Sequence, residues 1–416
     1  MVEGLVPDSA NEYDVSLDDR PVWPLPDSPY PPSVIVTRPA DDADRGVSLT
    51  FGSCREATAH STGRRLPPDA LDAYARRLMT DPRDPDLRPD LIVLLGDQVY
   101  ADNTSAKVRR FLRGRRASGH RGPADQVVSF DEYTRLYLES WRDPEVRWLL
   151  STVPSVMIFD DHEIIDDWNT SASWRRDMSA QDWWPERISS GLASYWVYQH
   201  LGNLSPDELA VDTLLAAITS VPDATAILHD FGISVDSPSS AENTDRPYQW
   251  SFALDIGRTR VVMLDNRCNR VLTTGGREML PAAEWAWFVD QAHGDYDHLV
   301  VGSSLPWLLP PSHPPPRGLE RAPGRLARVA PRRIRGEGPP HLRPGALGGL
   351  HPLLRRADRA VPAPRRRRAG RTRSPGRRGR GLRGTGVDQR AVRGRAPLVR
   401  GAGGPRARPR RPRCIS

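Results

Sequence analysis

Three apolar runs in this chain stop abruptly at residues that can ligate metals or move protons. Val47–Phe51 runs into Gly52-Ser53-Cys54-Arg55. Leu91–Leu95 runs into Gly96-Asp97, with Tyr100 and Asp102 close behind, and Ser155–Phe159 runs directly into Asp160-Asp161-His162-Glu163. One such ending is common. Three in succession, at strand ends that converge on one edge of a sheet, are the architecture of a polynuclear metal site. Thiolate, phenolate and imidazole suit a transition ion, whereas carboxylates suit a hard ion such as Ca²⁺, Mg²⁺ or Mn²⁺. A carboxylate between two ions can bridge them. A hydroxide held there would be nucleophilic near neutral pH, because bound water can have a pKa as low as about 7.

Each of these residues also has a plainer reading. A lone Cys54 is a small buried hydrophobe and a lone Tyr100 is core; it is their context that makes them functional candidates. Asp160 orients or caps, Asp102 caps, and Asp166 and Asp167 form a solvated turn. Arg55 and Arg267 either clamp a phosphate or sit in structural ion pairs with the acidic cluster. Cys268, His60, His200, His293 and His298 read as structural.

The elements that must position these residues are those of an α/β protein. Leu91–Leu95, an unbroken apolar run bounded by Asp90 and Gly96, is a buried parallel strand, and Gly96 permits the sharp exit that projects Asp97. Asp69–Met79 reads as a helix, and the charged sequence from Lys107 to Leu150 as further helix. Trp-rich Asp182–His200 and two helices up to Asp230 form an insertion or cap. Two strands follow, Tyr248–Leu254 and Thr259–Leu264, with a turn at Asp255-Ile256-Gly257; the second ends in Asp265-Asn266-Arg267. A helix over Pro281–Ala292 and a strand over His298–Gly302 complete the pattern. Near the N-terminus, Leu5-Val6-Pro7, Tyr13 and Val15, Val22-Trp23 and Val34–Val36 look like the last strands of a fibronectin-like β-sandwich with its tyrosine corner, too few to close one.

Composition divides the 416 residues unevenly. Residues 313–416 hold 30 Arg and 4 acidic residues, a net charge of +26, against −19 for the first 312. All twelve Trp, and every Tyr and Phe, precede His313, so only the first part can bury a sizeable core. Three cysteines, Cys54, Cys268 and Cys414, make no disulfide framework, which suits a reducing compartment. With no long apolar span and no signal peptide, the chain as written is expected in the cytoplasm and away from membranes; the truncated look of its N-terminus leaves export open.

From Val47 to Pro310 the motifs FGSCR (Phe51–Arg55), GDQVYAD (Gly96–Asp102), FDDHEIIDDWN (Phe159–Asn169), LDNR (Leu264–Arg267) and GSSLPW (Gly302–Trp307) together resemble the PhoD-type alkaline phosphatases and phosphodiesterases of the metallophosphatase superfamily. The resemblance implies a four-layer αββα sandwich. It also implies an iron(III) ligated by Cys54 and Tyr100, bridged through Asp97 to calcium or another divalent ion, with Asp161 on the second metal. His162 would stabilise the transition state or protonate the leaving group. Residues 1–36 would be the end of the small β-domain that precedes the catalytic domain, giving a division into 1–45, 46–312 and 313–416.

The family's last motif, a strand ending in Gly-Asp-Val-His, is absent from the chain as written. The Arg, Pro, Gly and Ala bias of the tail is that of a GC-rich gene read out of frame. Shifting the register by one base lets Val392–Arg400 encode Ser-Gly-Asp-Val-His-His-Ser-Tyr-Val, and lets His313–Pro323 encode an amphipathic helical segment. The expectation is therefore a metal-dependent hydrolase of phosphate esters, impaired by a frameshift near Pro311 and ending in a disordered basic tail. The alternative is a catalytically inactive remnant or binding protein whose genuine tail holds nucleic acid or polyphosphate through phosphate contacts. Because the tail offers no aromatic residue for base stacking, nucleic acid is expected at most as a non-specific partner.

Overall fold

The computed structural model describes residues 2, 4–40, 45–55, 69–236, 248–272 and 277–305. The elements run in the order β1 Ala10–Glu12, β2 Val15–Leu17, β3 Arg20–Trp23, β4 Val34–Val36, β5 Leu49–Gly52, α1 Ala70–Leu78, β6 Leu91–Leu95, α2 Ala106–Ala117, α3 Phe130–Trp141, α4 Pro144–Thr152 and β7 Ser155–Ile158. There follow α5 Ala172–Ser179, α6 Trp184–Tyr198, α7 Pro206–Val211, α8 Thr213–Thr219, α9 Thr225–Val235, β8 Phe252–Ile256, β9 Thr259–Leu264, β10 Val271–Leu272, β11 Arg277–Glu278, α10 Ala282–Gln291 and β12 His298–Ser303. The protein is a mixed α/β structure.

Two three-stranded sheets carry the chemistry. In the first, β6 lies between β5 and β7 and all three are parallel, so their carboxyl ends emerge on one edge. In the second, β9 pairs antiparallel with β8 and parallel with β12. The alternation of side chains along β6 explains its unbroken apolar sequence. Ile92 and Leu94 pack with Ala75 and Leu78 of α1 and Trp148 and Leu149 of α4. Leu91 and Val93 point the other way, into a cluster with Val156 and Ile158 of β7, Phe252 of β8, and Val261 and Met263 of β9. The far side of β9, Val262 and Leu264, is covered by Phe288 of α10 and by Leu280. Each such buried aliphatic side chain contributes about 1.5–3 kcal/mol relative to exposure.

The Trp-rich insertion is helical, but it holds more elements than the sequence expects. α5 precedes it, and three helices rather than two follow α6, because Asp212 ends α7 and its carboxylate caps α8 through the Leu215 amide at 2.7 Å. α6 is buried almost all round, and it meets α9 so closely that a Cβ on Gly232 would lie 2.3 Å from the Ser189 carbonyl oxygen. These helices share one core with Phe159, Ile164 and Trp168, so the insertion supports the loop that follows β7.

At the N-terminus, β1 pairs with β4 and β2 with β3, all antiparallel. The Tyr13 amide donates to the Ser33 carbonyl at 3.2 Å, but its hydroxyl reaches beyond the N-terminal strands rather than back to the backbone just upstream as in a tyrosine corner. Its hydroxyl donates to the Ser151 carbonyl on α4 at 2.5 Å, and Ser33 Oγ shares a 2.7 Å hydrogen bond with Ser151 Oγ. Among the described residues, no helix is long and apolar enough to cross a membrane. The tail and its alternative reading frame, His60 and Cys414 lie outside the described residues.

Candidate metal centre

The site is assembled at the exits of β5, β6 and β7. Gly96 leaves β6 at φ +110°, and a Cβ there would lie 2.5 Å from Asp160 Cβ, so a side chain at this position would push the two strand ends apart. Asp97 follows at φ 54° and Cys54 sits at φ 57°, both in the left-handed region that non-glycine residues enter at a cost of about 1–3 kcal/mol. Neighbouring backbone fixes these turns: Cys54 N–H donates to Gly96 O at 3.1 Å, and Arg55 N–H to Asp97 O at 3.0 Å.

Asp97, Asp161 and His162 each bring a ligand atom to within 4.8 Å of the others. Asp97 and Asp161 are buried, and Asp97 Oδ1 accepts from the His162 amide at 3.2 Å. Burial, together with the negative charges of Glu163, Asp160 and Asp161, raises the Asp97 carboxyl to about 8 although His162 opposes the shift. Cys54 is adjacent. Its side chain is exposed rather than buried as a small hydrophobe would be; partial desolvation by its neighbours and the charges of Asp97 and Asp160 still raise its thiol. A carboxyl and a thiol that both resist ionisation, beside the Asp161 carboxylate, are a donor set that a cation would relieve.

Tyr100 lies against the His162 ring, tilted by 33° with centroids 4.5 Å apart. His162 Nδ1 lies 2.9 and 3.1 Å from the two oxygens of Asp102, which also accepts the Asp166 amide at 2.7 Å. Burial pushes the imidazole down, but the Asp102 hydrogen bond and the charges of Asp102, Asp97 and Asp161 win and raise it to about 9. Asp102 therefore does more than cap: it holds a protonated imidazole at the rim of the cluster.

Residues 61–210 match the family model described as PhoD-like phosphatase. Over that segment the chain is similar to the PhoD-like phosphatases. The match takes in Asp97, Tyr100, Asp102, Asp161 and His162, while Cys54, Arg55 and Arg267 fall outside it. Residues 1–35 match a second model, Domain of unknown function (DUF7800). No curated protein matches. A solved chain titled "Structure of PhoD" is similar at a TM-score of 0.40 and 15% identity, over 65% of this chain and 44% of that one. This chain thus spans under half the length of that structure.

Both arginines next to the candidate site are tied to protein groups. Arg267 donates through Nε to Asp160 Oδ1 and reaches Asp161 Oδ2 at 3.2 Å through Nη2. It is presented by a turn in which buried Asp265 accepts the amides of Arg267, Cys268 and Asn269. Arg55 pairs with Asp69 at 2.9 Å and donates to Ser140 Oγ at 2.7 Å and to the Ser140 carbonyl at 2.9 Å. Among the other histidines, His200 is fully buried against Tyr195, Tyr248, Trp250 and Phe252.

One residue of the site carries no sign of its role in the sequence. Glu163 is 1% exposed and spans the β6 and β7 exits. Nothing in the run Asp160-Asp161-His162-Glu163 separates this carboxylate from exposed Asp166 and half-buried Asp167, whose amide donates to Asp161 at 2.9 Å, because its partners at 97, 98 and 199 are distant in sequence.

Proposed function

We propose that the protein hydrolyses phosphate esters, as an alkaline phosphatase or phosphodiesterase, with metal ions held at the exits of β5, β6 and β7. The convergence of the Asp97 and Asp161 carboxylates, with the His162 imidazole beside them, inside the PhoD-like match carries this reading. Cys54, Asp97 and Tyr100 would hold iron(III), and Asp97 and Asp161 would hold calcium or another divalent ion. When bound, the ions supply Lewis acidity toward the phosphoryl oxygens and toward the attacking water. The chain's own part is to place and move protons. A water that has given one proton to solvent attacks phosphorus in line as hydroxide, the ester P–O bond breaks, and His162, held by Asp102, gives its proton to the departing alkoxide and is reprotonated from solvent. Arg267 offsets the charge of Asp160 and Asp161, and Arg55 anchors the β5 exit on α3, so both position the site rather than clamp substrate.

The packing of α1 and α4, the two sheets and α10 supports a four-layer αββα sandwich within residues 46–312, between an N-terminal β-region (1–45) and the tail (313–416). Since 313–416 is best explained as out of frame, the chain as written would lack one Asp and one His ligand, retain metal weakly and turn over slowly. Resequencing the codons for Leu305–Arg317 tests this. A base that disappears on resequencing restores the frame, and an unaltered read through an intact gene with full activity overturns the frameshift.

The iron assignment is tested by colour. Iron-loaded, frame-restored protein should show a Tyr-to-iron(III) charge-transfer band that Tyr100→Phe abolishes; a colourless, fully active Tyr100→Phe enzyme would remove Tyr100 from the metal. Full hydrolysis by the Asp97→Asn/Cys54→Ala double variant would reject the metal-site reading.

A further inference from the structure

Four hydrogen bonds converge on Glu163. Oε2 accepts the amides of Asp97 at 3.0 Å and Asp160 at 2.9 Å. Oε1 accepts the Gln98 amide at 2.7 Å and the Gln199 side-chain amide at 3.2 Å. Three of the four donors are main-chain groups of the two loops that carry Asp97 and Asp161, and the fourth comes from the end of α6. All four face the carboxylate and none can accept, so each oxygen must accept twice.

We propose that Glu163 is the positioning residue of the metal centre: it fixes the spacing of the β6 and β7 exits and thereby the distance between their ligands. The proposal rests on the metal-site reading above. The geometry requires an outside agent of this kind. Asp97 is held in the left-handed region, and Gly96 brings the two exits into contact at Asp160. The Asp97 carboxylate accepts the His162 amide at 3.2 Å, but this uses an oxygen of a candidate ligand, and neither Gly96 nor Asp160 supplies a side chain that ties one exit to the other. A carboxylate buried between them does so, and it satisfies three amides that would otherwise be buried without partners. A glutamine cannot replace it, because either orientation of its amide turns an NH₂ toward two N–H donors. Aspartate keeps the acceptors but is one methylene shorter.

The test is a Mn²⁺ titration of the full-length, metal-free chain, with free Mn²⁺ read by electron paramagnetic resonance and folding by circular dichroism. Groups that orient metal ligands typically change metal affinity roughly 10–100-fold when replaced. Glu163→Gln should weaken Mn²⁺ binding by that factor, and Glu163→Asp by less, because acceptor character is partly restored. Equal affinity in wild type and folded Glu163→Gln overturns the proposal, as does Glu163→Asp binding no better than Glu163→Gln. Should Glu163→Gln fail to fold, Gln199→Met removes one donor of the four and should weaken Mn²⁺ about threefold to fivefold; an unchanged affinity there overturns it equally. The Asp97→Asn control separates the two readings: if wild type binds no tighter than Asp97→Asn, the metal site itself fails.

Discussion

At the scale of single residues, two histidines show how environment assigns opposite roles to one side chain. His162 faces Asp102 and neighbouring carboxylates and is raised to about 9, whereas His200, surrounded by aromatic rings, is lowered to about 3 by burial alone. For His162, Asp102→Asn replaces the anion that holds the imidazolium. The midpoint of its Hε1 chemical-shift titration in metal-free protein should then fall from about 9 toward the ordinary range. A midpoint that stays put would show that Asp102 does not hold the proton. For His200 the sign is the reverse. Its folded pKa lies below the unfolded value of about 6.5, so the unfolded chain binds more protons between the two and stability falls as pH falls. Replacing it by Phe should cancel that dependence. The stability of His200→Phe relative to wild type should therefore rise by about 1.4 kcal/mol per pH unit below about pH 6.5, measured by urea denaturation. A pH-independent difference would mean that His200 is not buried neutral.

At the scale of elements, the site depends on how closely strand exits approach. Gly96→Ala would add a methyl 2.5 Å from Asp160 Cβ at a φ that L residues avoid. It should cost about 1–3 kcal/mol in denaturant stability and weaken Mn²⁺ binding; wild-type values for both would show that the exits have slack. The elements themselves were largely legible. β6 and β9 have the bounds that Leu91–Leu95 and Thr259–Leu264 suggest, because apolar runs flanked by Gly or charge have little freedom of register. The division of the cap was not legible, since a single residue, Asp212, closes one helix and opens the next. Partners distant in sequence were also hidden. Asp102 read as a cap because the imidazole it holds lies 60 positions away, and Arg55 read equally as a phosphate clamp because Ser140 lies 85 positions away. Periodicity reports which face is buried and says nothing about which polar group will be met there.

At the scale of the molecule, the N-terminal region leans on α4 of the α/β body, with ion pairs of Glu12 to Arg83 at 3.0 Å and Arg38 to Asp90 at 2.8 Å beside it. Trp148 of α4 is 1% exposed and belongs to the core that includes Ile92 and Leu94 of β6. Its indole N–H donates to the Pro31 carbonyl at 2.8 Å, and its ring stacks on Tyr30 at 5.9 Å. Three residues on, Ser151 receives Tyr13 and Ser33. Since α4 leads directly into β7 and so to Asp161 and His162, loosening the N-terminal region should be felt in the core beneath the candidate metal site. Tyr13→Phe removes one partly buried hydrogen bond and should cost about 1 kcal/mol; Tyr30→Ala removes a ring stacked on Trp148 and should cost about 2–4 kcal/mol. The decisive readout is tryptophan fluorescence against far-UV circular dichroism in urea. If the two regions fold as one unit, both probes should shift together to the same lower midpoint in each variant. A separate early transition, with the main midpoint unmoved, would instead make the N-terminal region an independent module that merely rests on α4.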